Sequence, residues 1–302
     1  MKKLMFAAVL GLPLCAYAQL VSVGEVTKVN IPENLANKVA AISPDGSYLL
    51  ITTDTNAGLS RYDLATGRME KLTDAQGAGH DVKISADGQD VIYRENSYDK
   101  NHLKKVGVKN KNLATRKETV LVKPTRNLQA MDVQGTTATT VISGKMSMKA
   151  LGKVQAQQAH AILSIDKLHL MKTENGVTTE FSPLGSDKRY IWPSVSPDGT
   201  KALFYVTGYG AYVCSIEGGN LIELGQVRAP RWLSNDIIVG MNDQDDGRVY
   251  TSSSIIAVDL NGTTQTLTSD DVIAMYPLPT AAGDKITFST PTGEAYIINI
   301  NK

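Results

Sequence analysis

The sequence has few cysteines and almost no net charge, and each shortage excludes a class of protein. Its 302 residues include two cysteines, Cys15 and Cys214. Only Cys214 lies beyond the first 18 residues, so residues 19–302 cannot form an internal disulfide. Cys214 follows the apolar run 211–213 and is expected to be a buried small hydrophobe rather than a reactive thiol. The 31 basic and 30 acidic residues nearly cancel, which argues against a nucleic-acid or anionic-membrane surface.

Long apolar runs are absent except at the start of the chain. Lys2 and Lys3 precede an apolar run over residues 4–14, and Ala16-Tyr17-Ala18 provides a small-x-small cleavage site. This pattern predicts a signal peptide over 1–18 and an exported, periplasmic protein. A lipid anchor through Cys15, or a cell-surface location, is the alternative. No later run is long enough for a membrane helix, so no transmembrane segment is expected.

Helical periodicity is also weak, and 150–163 is the only candidate helix. What the chain has instead is a repeated phrase: Ser43-Pro44-Asp45-Gly46, Ser85-Ala86-Asp87-Gly88 and Ser196-Pro197-Asp198-Gly199. Each copy precedes an apolar run of the kind that forms strands. Asp-Gly is typical of hairpin turns because glycine adopts positive φ without steric cost.

The repeat spacing predicts an all-β, six-bladed β-propeller as a single domain over 19–302. The spacing is 42 residues from Ser43 to Ser85, 37 from Ser196 to Leu233 and 47 from Leu233 to Thr280. The 111-residue gap between Ser85 and Ser196 is expected to hold one degenerate third blade with an insertion, about 123–183. Continuously apolar second strands indicate sheets covered on both faces, as blades are. A pair of β-sandwich domains is the alternative.

The last predicted blade has only three strands before the chain ends. The segment 22–31 alternates Val23, Val26 and Val29 with polar residues and is a spare strand at the other end. We expect this N-terminal strand to complete the last blade, which would remove the open edge that a linear array of sheets leaves.

These phrases resemble the propeller of the TolB type, shared with the N-terminal propellers of dipeptidyl-peptidase-like proteins. Residues 190–199, Tyr-Ile-Trp-Pro-Ser-Val-Ser-Pro-Asp-Gly, match most closely. Residues 238–247 resemble uncharacterised exported proteins of this kind from Bacteroides-like bacteria. The resemblance implies the fold and leaves the activity open, because propellers host many functions.

In such a blade, the loops before the first strand and between the second and third strands lie on one face. The Asp-Gly turns lie on the other face. We therefore predict ligand-binding residues four or five positions upstream of each turn, together with one residue from a second-to-third-strand loop: His80, Asp81, Trp192, Tyr209, Arg228 and Tyr276. Polar and aromatic groups around a concavity are typical of a ligand site. The alternative is that these side chains only plug the channel.

Asp243, Asp245 and Asp246 form an acidic loop that could offer oxygen ligands to a calcium ion. The spacing departs from the EF-hand, and a solvated Asp-Gly turn is the alternative reading. No other cofactor is expected.

No G-x-S-x-G elbow or H-E-x-x-H helix is present, and the four histidines fall in different phases of the repeat. The leading hypothesis is therefore a non-enzymatic, exported binding propeller. We expect a monomer whose rim binds an envelope protein, peptide or glycan. The alternative is a carbohydrate-active lyase or hydrolase acting in the tunnel mouth through His80, Arg228, Tyr276 and the acids of 243–246.

Overall fold

The structure, a computed structural model, describes residues 19–32, 38–152 and 160–301. The predicted signal peptide lies outside the described residues. Within these ranges the chain is all-β, with 26 strands in seven sheets and no helix. The ends of the candidate helix 150–163 that the structure describes lie in strands. Among the described residues, no helix is long and apolar enough to cross a membrane.

Five of the sheets have four antiparallel strands, and we number the sheets as blades in chain order. Blade one is formed by β2 (Lys38–Ile42), β3 (Tyr48–Thr52), β4 (Leu59–Asp63) and β5 (Met69–Thr73). Blade two is formed by β6 (Lys83–Ile84), β7 (Asp90–Tyr98), β8 (Lys104–Asn112) and β9 (Glu118–Thr125). Blade five is formed by β16 (Tyr190–Val195), β17 (Lys201–Val206), β18 (Gly210–Ser215) and β19 (Ile222–Gly225). Blade six is formed by β20 (Arg228–Trp232), β21 (Ile237–Asp245), β22 (Tyr250–Asp259) and β23 (Thr264–Thr266). Blade seven is formed by β24 (Met275–Pro279), β25 (Lys285–Ser289), β26 (Ala295–Asn301) and β1 (Ser22–Val29).

The prediction of six blades is wrong, because the gap assigned to one degenerate blade holds two three-stranded blades. Blade three is formed by β10 (Leu128–Gln134), β11 (Thr137–Ile142) and β12 (Lys145–Ala150). Blade four is formed by β13 (Ile162–Asp166), β14 (His169–Glu174) and β15 (Val177–Glu180). Both use tight hairpins instead of the Asp-Gly phrase, so neither carries the repeat by which the other blades were counted. The four strands expected in one sheet over 123–183 are thus divided between two sheets.

The N-terminal strand closes the ring as expected. β1 pairs antiparallel with β26, with Ser22 opposite Asn301 and Val29 opposite Ala295. The side chain of Gln265 in blade six holds the residues just before β1. It accepts hydrogen bonds from the amides of Leu20 (2.7 Å) and Val21 (3.0 Å) and donates one to the Val21 carbonyl (2.9 Å). The two ends of the described chain therefore belong to one sheet.

The core consists of seven separate hydrophobic clusters, one between each pair of neighbouring blades. The cluster between blades six and seven is the largest, with twelve buried residues, among them Met241 and Phe288. The cluster between blades three and four has only three: Ala130, Val141 and Ile162. Every blade is buried on two faces, and the second strands are therefore continuously apolar. In β3, for example, all five residues are buried.

The Asp-Gly phrases form the turns between first and second strands. In blade one, Ser43 Oγ accepts hydrogen bonds from the amides of Ser47 (2.8 Å) and Tyr48 (3.0 Å), and Gly46 has a φ of 68°. First strands of successive blades contact each other, as β10 contacts β13 and β16 contacts β20, and together they line a central tunnel. This arrangement separates the turns from the loops that precede each first strand.

Candidate ligand-binding site at the rim of the propeller

A repeated backbone irregularity positions the predicted rim residues. Positive φ values occur four residues before the turn that joins the first and second strands: 54° at Asp81, 52° at Trp192, 47° at Ala229 and 55° at Tyr276. In blades five, six and seven the register of the first strand shifts at this point, which marks a β-bulge. Left-handed backbone costs a non-glycine residue roughly 1–2 kcal/mol. A bulge re-aims the side chains around it, and here the bulges lie where the first strands reach the rim.

Two of the predicted residues, Trp192 and Arg228, line one cavity of about 440 Å³ between blades five and six. Its wall is otherwise formed by the first strand of blade five, both second strands, the loop after β17 and the segment before β20, through Ile191, Tyr205, Thr207, Gly208, Gln226, Asn242, Asp243 and Gln244. The volume and the mixture of aromatic and polar groups fall in the range of small-ligand sites.

An ion pair lies in the wall of this cavity. Arg228 Nη1 donates to Asp243 Oδ2 at 2.5 Å, and the Asp243 side chain is 1% exposed while that of Arg228 is 34% exposed. The other carboxylate oxygen, Asp243 Oδ1, is buried and has no hydrogen-bond partner among the described residues. Burial raises the pKa of Asp243 in spite of the adjacent guanidinium. A buried acceptor without a donor is costly, and because the Asp243 side chain is almost fully covered, the part of the ion pair that is exposed to the cavity is the Arg228 guanidinium.

Aromatic and amide groups form another part of the cavity wall. The Trp192 ring meets Tyr205 edge to face, with centroids 5.4 Å apart, and Tyr205 Oη donates to Gln226 Oε1 at 2.8 Å. Gln226 Nε2 in turn donates to the Tyr209 carbonyl at 3.0 Å. This chain of contacts orients the Gln226 amide and connects Tyr209, an exposed residue outside the lining, to the cavity wall.

The remaining predicted rim residues lie elsewhere on the same face. Burial, followed by the neighbouring Tyr250, raises the pKa of Tyr276 to about 12, and Lys38 Nζ lies 5.8 Å from the Tyr276 ring centroid. Burial, followed by the positive charge of Arg94, lowers the pKa of His80. Asp81 is ion-paired with Lys83 at 2.9 Å. Tyr276 also interacts electrostatically with Arg228 and Asp243, so it lies near the ion pair of the cavity wall, whereas His80 and Asp81 lie among the charged groups of blade two.

The three aspartates predicted for calcium take part in separate interactions. Asp243 is paired with Arg228, Asp245 Oδ1 accepts from the Gly247 amide at 2.9 Å, and Asp246 Oδ1 accepts from the amides of Arg248 and Val249 at 2.9 Å. In the ranges that the structure describes, no group of three or more His, Cys, Asp or Glu side chains could hold a metal ion. The geometry lends the calcium prediction no support.

Sequence reasoning missed Tyr205 and Gln226 at the cavity and Lys83, Arg94, Asp132 and Arg231 at the tunnel. For Lys83 and Arg231 a signal existed. Both lie two residues before the turn between the first and second strands, Lys83 two residues after Asp81 and Arg231 three residues after Arg228, so the repeat itself gives them equivalent positions in their blades. Tyr205 and Gln226 carry no comparable signal, because they reach the cavity only through the packing of two blades.

No protein-family model matches the sequence, and no curated protein matches it. Among solved structures, it is similar to the β-propeller domain of Cps50 (Swd1) from Myceliophteria thermophila, with a TM-score of 0.61, 9% identity, and coverage of 92% of this chain and 100% of that one. It is also similar to a putative TolB from Agrobacterium tumefaciens, with a TM-score of 0.53, 19% identity, and coverage of 88% and 90%. Oligogalacturonate lyase from Vibrio parahaemolyticus aligns with a TM-score of 0.46, 13% identity, and coverage of 86% and 76%. These likenesses bear on the fold alone: the chain is a β-propeller similar to TolB.

Proposed function

We propose that this chain is an exported, non-enzymatic binding propeller that holds a hydroxyl-rich segment of a glycan in the cavity between blades five and six. The observation that carries the proposal is the Arg228–Asp243 ion pair in the cavity wall, in which the buried carboxylate orients a guanidinium that stays 34% exposed. The exposed N–H groups of Arg228 donate to a sugar hydroxyl or ring oxygen in the cavity. Because the Arg228–Asp243 pair is neutral overall, it favours polar ligands without net charge.

The surrounding groups suit the same ligand class. Trp192 and Tyr205 present apolar ring surface, and Gln226, Asn242 and Gln244 present amides that both donate and accept. The predicted signal peptide and the likeness of the fold to TolB support an extracytoplasmic location, the periplasm in our proposal. The catalytic alternative is supported less well, since His80 is not among the residues lining the cavity.

The test is calorimetric titration of the purified chain with neutral oligosaccharides, first selected on a glycan array. Changing Arg228→Gln or Asp243→Asn should weaken binding about 10- to 100-fold, since a hydrogen bond to a charged group contributes roughly 1.5–3 kcal/mol. Arg248→Gln is the matched control, because Arg248 lies on the neighbouring loop outside the cavity lining, and its affinity should equal that of the wild type.

Two results would overturn the proposal. One is binding that is indifferent to both cavity substitutions, including binding of a peptide at another surface. The other is release of product from an oligosaccharide by the wild-type chain that disappears in Arg228→Gln, which would establish the catalytic alternative.

A further inference from the structure

A set of charged side chains lies along the tunnel, outside the rim cavity. Lys83 and Arg231 occupy the same place in their blades, two residues before the first turn, and Asp132 lies on the first strand of blade three. The side chains of Asp81, Lys83 and Asp132 are 40%, 32% and 31% exposed. Since they project from first strands, this exposed surface faces the tunnel. The tunnel therefore has a polar, water-accessible wall at blades two and three, and Arg231 lies on blade six, on the other side of the ring.

The carboxylates of this wall already have cationic partners. Lys83 Nζ lies 2.9 Å from Asp81 Oδ1 and 3.9 Å from Asp132 Oδ1. Arg94 Nη2 lies 3.2 Å from Asp81 Oδ2. Burial alone would raise the pKa of Asp81, but Lys83 and Arg94 hold it below its usual value. The two carboxylates are thus matched by two cations.

Arg231 is the cation left over. Among the described residues no carboxylate lies within ion-pair distance of its guanidinium, which donates from Nη1 to its neighbour, the Pro230 carbonyl, at 3.0 Å. Burial lowers the pKa of Arg231. A charge taken out of bulk water is costly unless it is paired, so a counter-ion next to it is favourable. Asp81 acts on Arg231 as a counter-charge from beyond ion-pair distance, and its carboxylate is already paired with Lys83 and Arg94.

Unpartnered hydroxyl groups lie on the neighbouring first strands. Ser194 in β16 occupies the same place in blade five as Arg231 does in blade six, and its buried Oγ has no hydrogen-bond partner among the described residues. The same holds for Ser164 Oγ in β13, on a residue that is 6% exposed. A serine hydroxyl can donate one hydrogen bond, but both Oγ atoms are covered by the protein, so neither is open to an anion in the tunnel.

The approach to the tunnel is basic as well. Arg94, Lys38 and Lys104 all act electrostatically on His80, against the single carboxylate of Asp81. A mouth lined by an excess of one charge concentrates ligands of the opposite charge.

We propose that the tunnel binds a small oxyanion, a carboxylate or a phosphate, on the guanidinium of Arg231, with Lys83 as the second cation. The planar guanidinium fork matches two oxygens of either group. This site is separate from the rim cavity, whose proposed ligand is neutral.

The test measures the melting temperature of the purified chain against concentration of phosphate, acetate and citrate, at constant low ionic strength set with chloride. Calorimetry then gives the affinity for each anion that stabilises the wild type. Arg231→Gln should lower that affinity at least 10-fold, and Arg231→Lys should lower it less. Arg228→Gln, which removes a guanidinium from the rim cavity and leaves the tunnel unchanged, is the matched control and should keep the wild-type affinity.

Folding of the variant is checked separately. Because the Arg231 guanidinium lies in a water-accessible tunnel and has no ion pair among the described residues, the melting temperature of Arg231→Gln without anion should be close to that of the wild type. The proposal is overturned if no anion stabilises the wild type beyond chloride, if wild type and Arg231→Gln respond equally, or if Arg228→Gln abolishes the response. The separate arms distinguish a carboxylate site from a phosphate site. Loss of glycan binding in Arg228→Gln with retention of anion binding keeps this proposal independent of the rim proposal.

Discussion

At the scale of single residues, the aspartates of the repeated phrase act within their own turns. In blade five, Asp198 Oδ1 accepts hydrogen bonds from Ser196 Oγ (2.5 Å), the Thr200 amide (3.0 Å) and Thr200 Oγ1 (2.8 Å). These donors, led by the Ser196 hydroxyl, lower the pKa of Asp198 to about 2. The charged form of the carboxylate is therefore favoured by the folded turn.

A pH-dependent contribution to stability follows for Asp198. Its folded pKa lies below the value of about 3.9 for an unfolded chain, so the carboxylate stabilises the fold above pH 4 and loses this effect as the pH falls to about 2. The denaturation midpoints of the wild type and Asp198→Ala should differ most at pH 5–7, and the difference should shrink between pH 4 and pH 2. Asp270→Ala, at an exposed position, is the control and should show no such trend. A difference that is constant from pH 5 to pH 2 would contradict this assignment.

The sequence alone could not predict which residues of the candidate site pair with each other across a β-bulge. The Asp-Gly turns are local, so their residues were read directly from the spacing. Arg228 was singled out as a rim ligand group and Asp243 as a metal ligand, and the two were grouped only in the catalytic alternative. Their pairing depends on the register shift at Ala229, whose left-handed backbone an alanine does not signal.

At the scale of elements, the first turns join neighbouring blades on the face opposite the rim cavity. Tyr48 begins β3 in blade one, and its hydroxyl donates to the Gly88 carbonyl in the turn of blade two at 2.9 Å. Arg61 lies over the Tyr48 ring, 4.7 Å from its centroid. Similarly, the Asp198 amide donates to Asn235 Oδ1 in the next blade at 3.0 Å. Turn-to-turn bonds supplement the apolar clusters between blades.

Removing the Tyr48 hydroxyl should therefore weaken one interface between blades. Tyr48→Phe leaves the ring in place and takes a donor from the Gly88 carbonyl, which should cost about 1–2 kcal/mol of unfolding free energy. Urea denaturation measures the loss. Tyr98→Phe removes the same atom from a residue that is 66% exposed and should change the stability by less than about 0.5 kcal/mol. Equal effects of the two substitutions would show that the Tyr48 contact contributes nothing.

The same scale explains why a blade went uncounted. β12, Lys-Met-Ser-Met-Lys-Ala, is the exposed outer strand of blade three and lacks the apolar run by which inner strands are recognised. The hairpin between β13 and β14 turns at Lys167 and Leu168, both with positive φ and neither of a type that signals a turn. A search based on Asp-Gly turns therefore could not recognise blades three and four as two separate blades, whereas it identified the other five.

At the scale of the whole molecule, stability depends on closing the ring without a disulfide. The only cysteine in the described residues, Cys214, is buried and unpaired, and each blade contacts only its two neighbours through the seven clusters. β1 belongs to the cluster between blades seven and one through Val29, and Leu20 and Val23 pack on the cluster between blades six and seven. One strand therefore supports two of the seven interfaces.

Deleting residues 19–29 should destabilise the ring and expose an edge. The loss of burial of Val29 and partial burial of Leu20 and Val23 should cost about 3 kcal/mol or more, at roughly 1.5–3 kcal/mol for a fully buried aliphatic side chain. β26 would become an unpaired edge strand, which favours association between molecules. Thermal unfolding measures the first effect, and light scattering measures the second.

A circular permutant distinguishes the contribution of the closing strand from that of the continuity of the chain. It starts at residue 38, joins residue 301 through a short glycine-rich turn to residue 19, and ends at residue 31. Ser22 lies opposite Asn301 in an antiparallel pair, so a short hairpin can connect them. The permutant should regain the wild-type melting temperature and remain monodisperse. If it is as unstable as the deletion, or if the deletion melts like the wild type, closure by β1 is not what holds the propeller together.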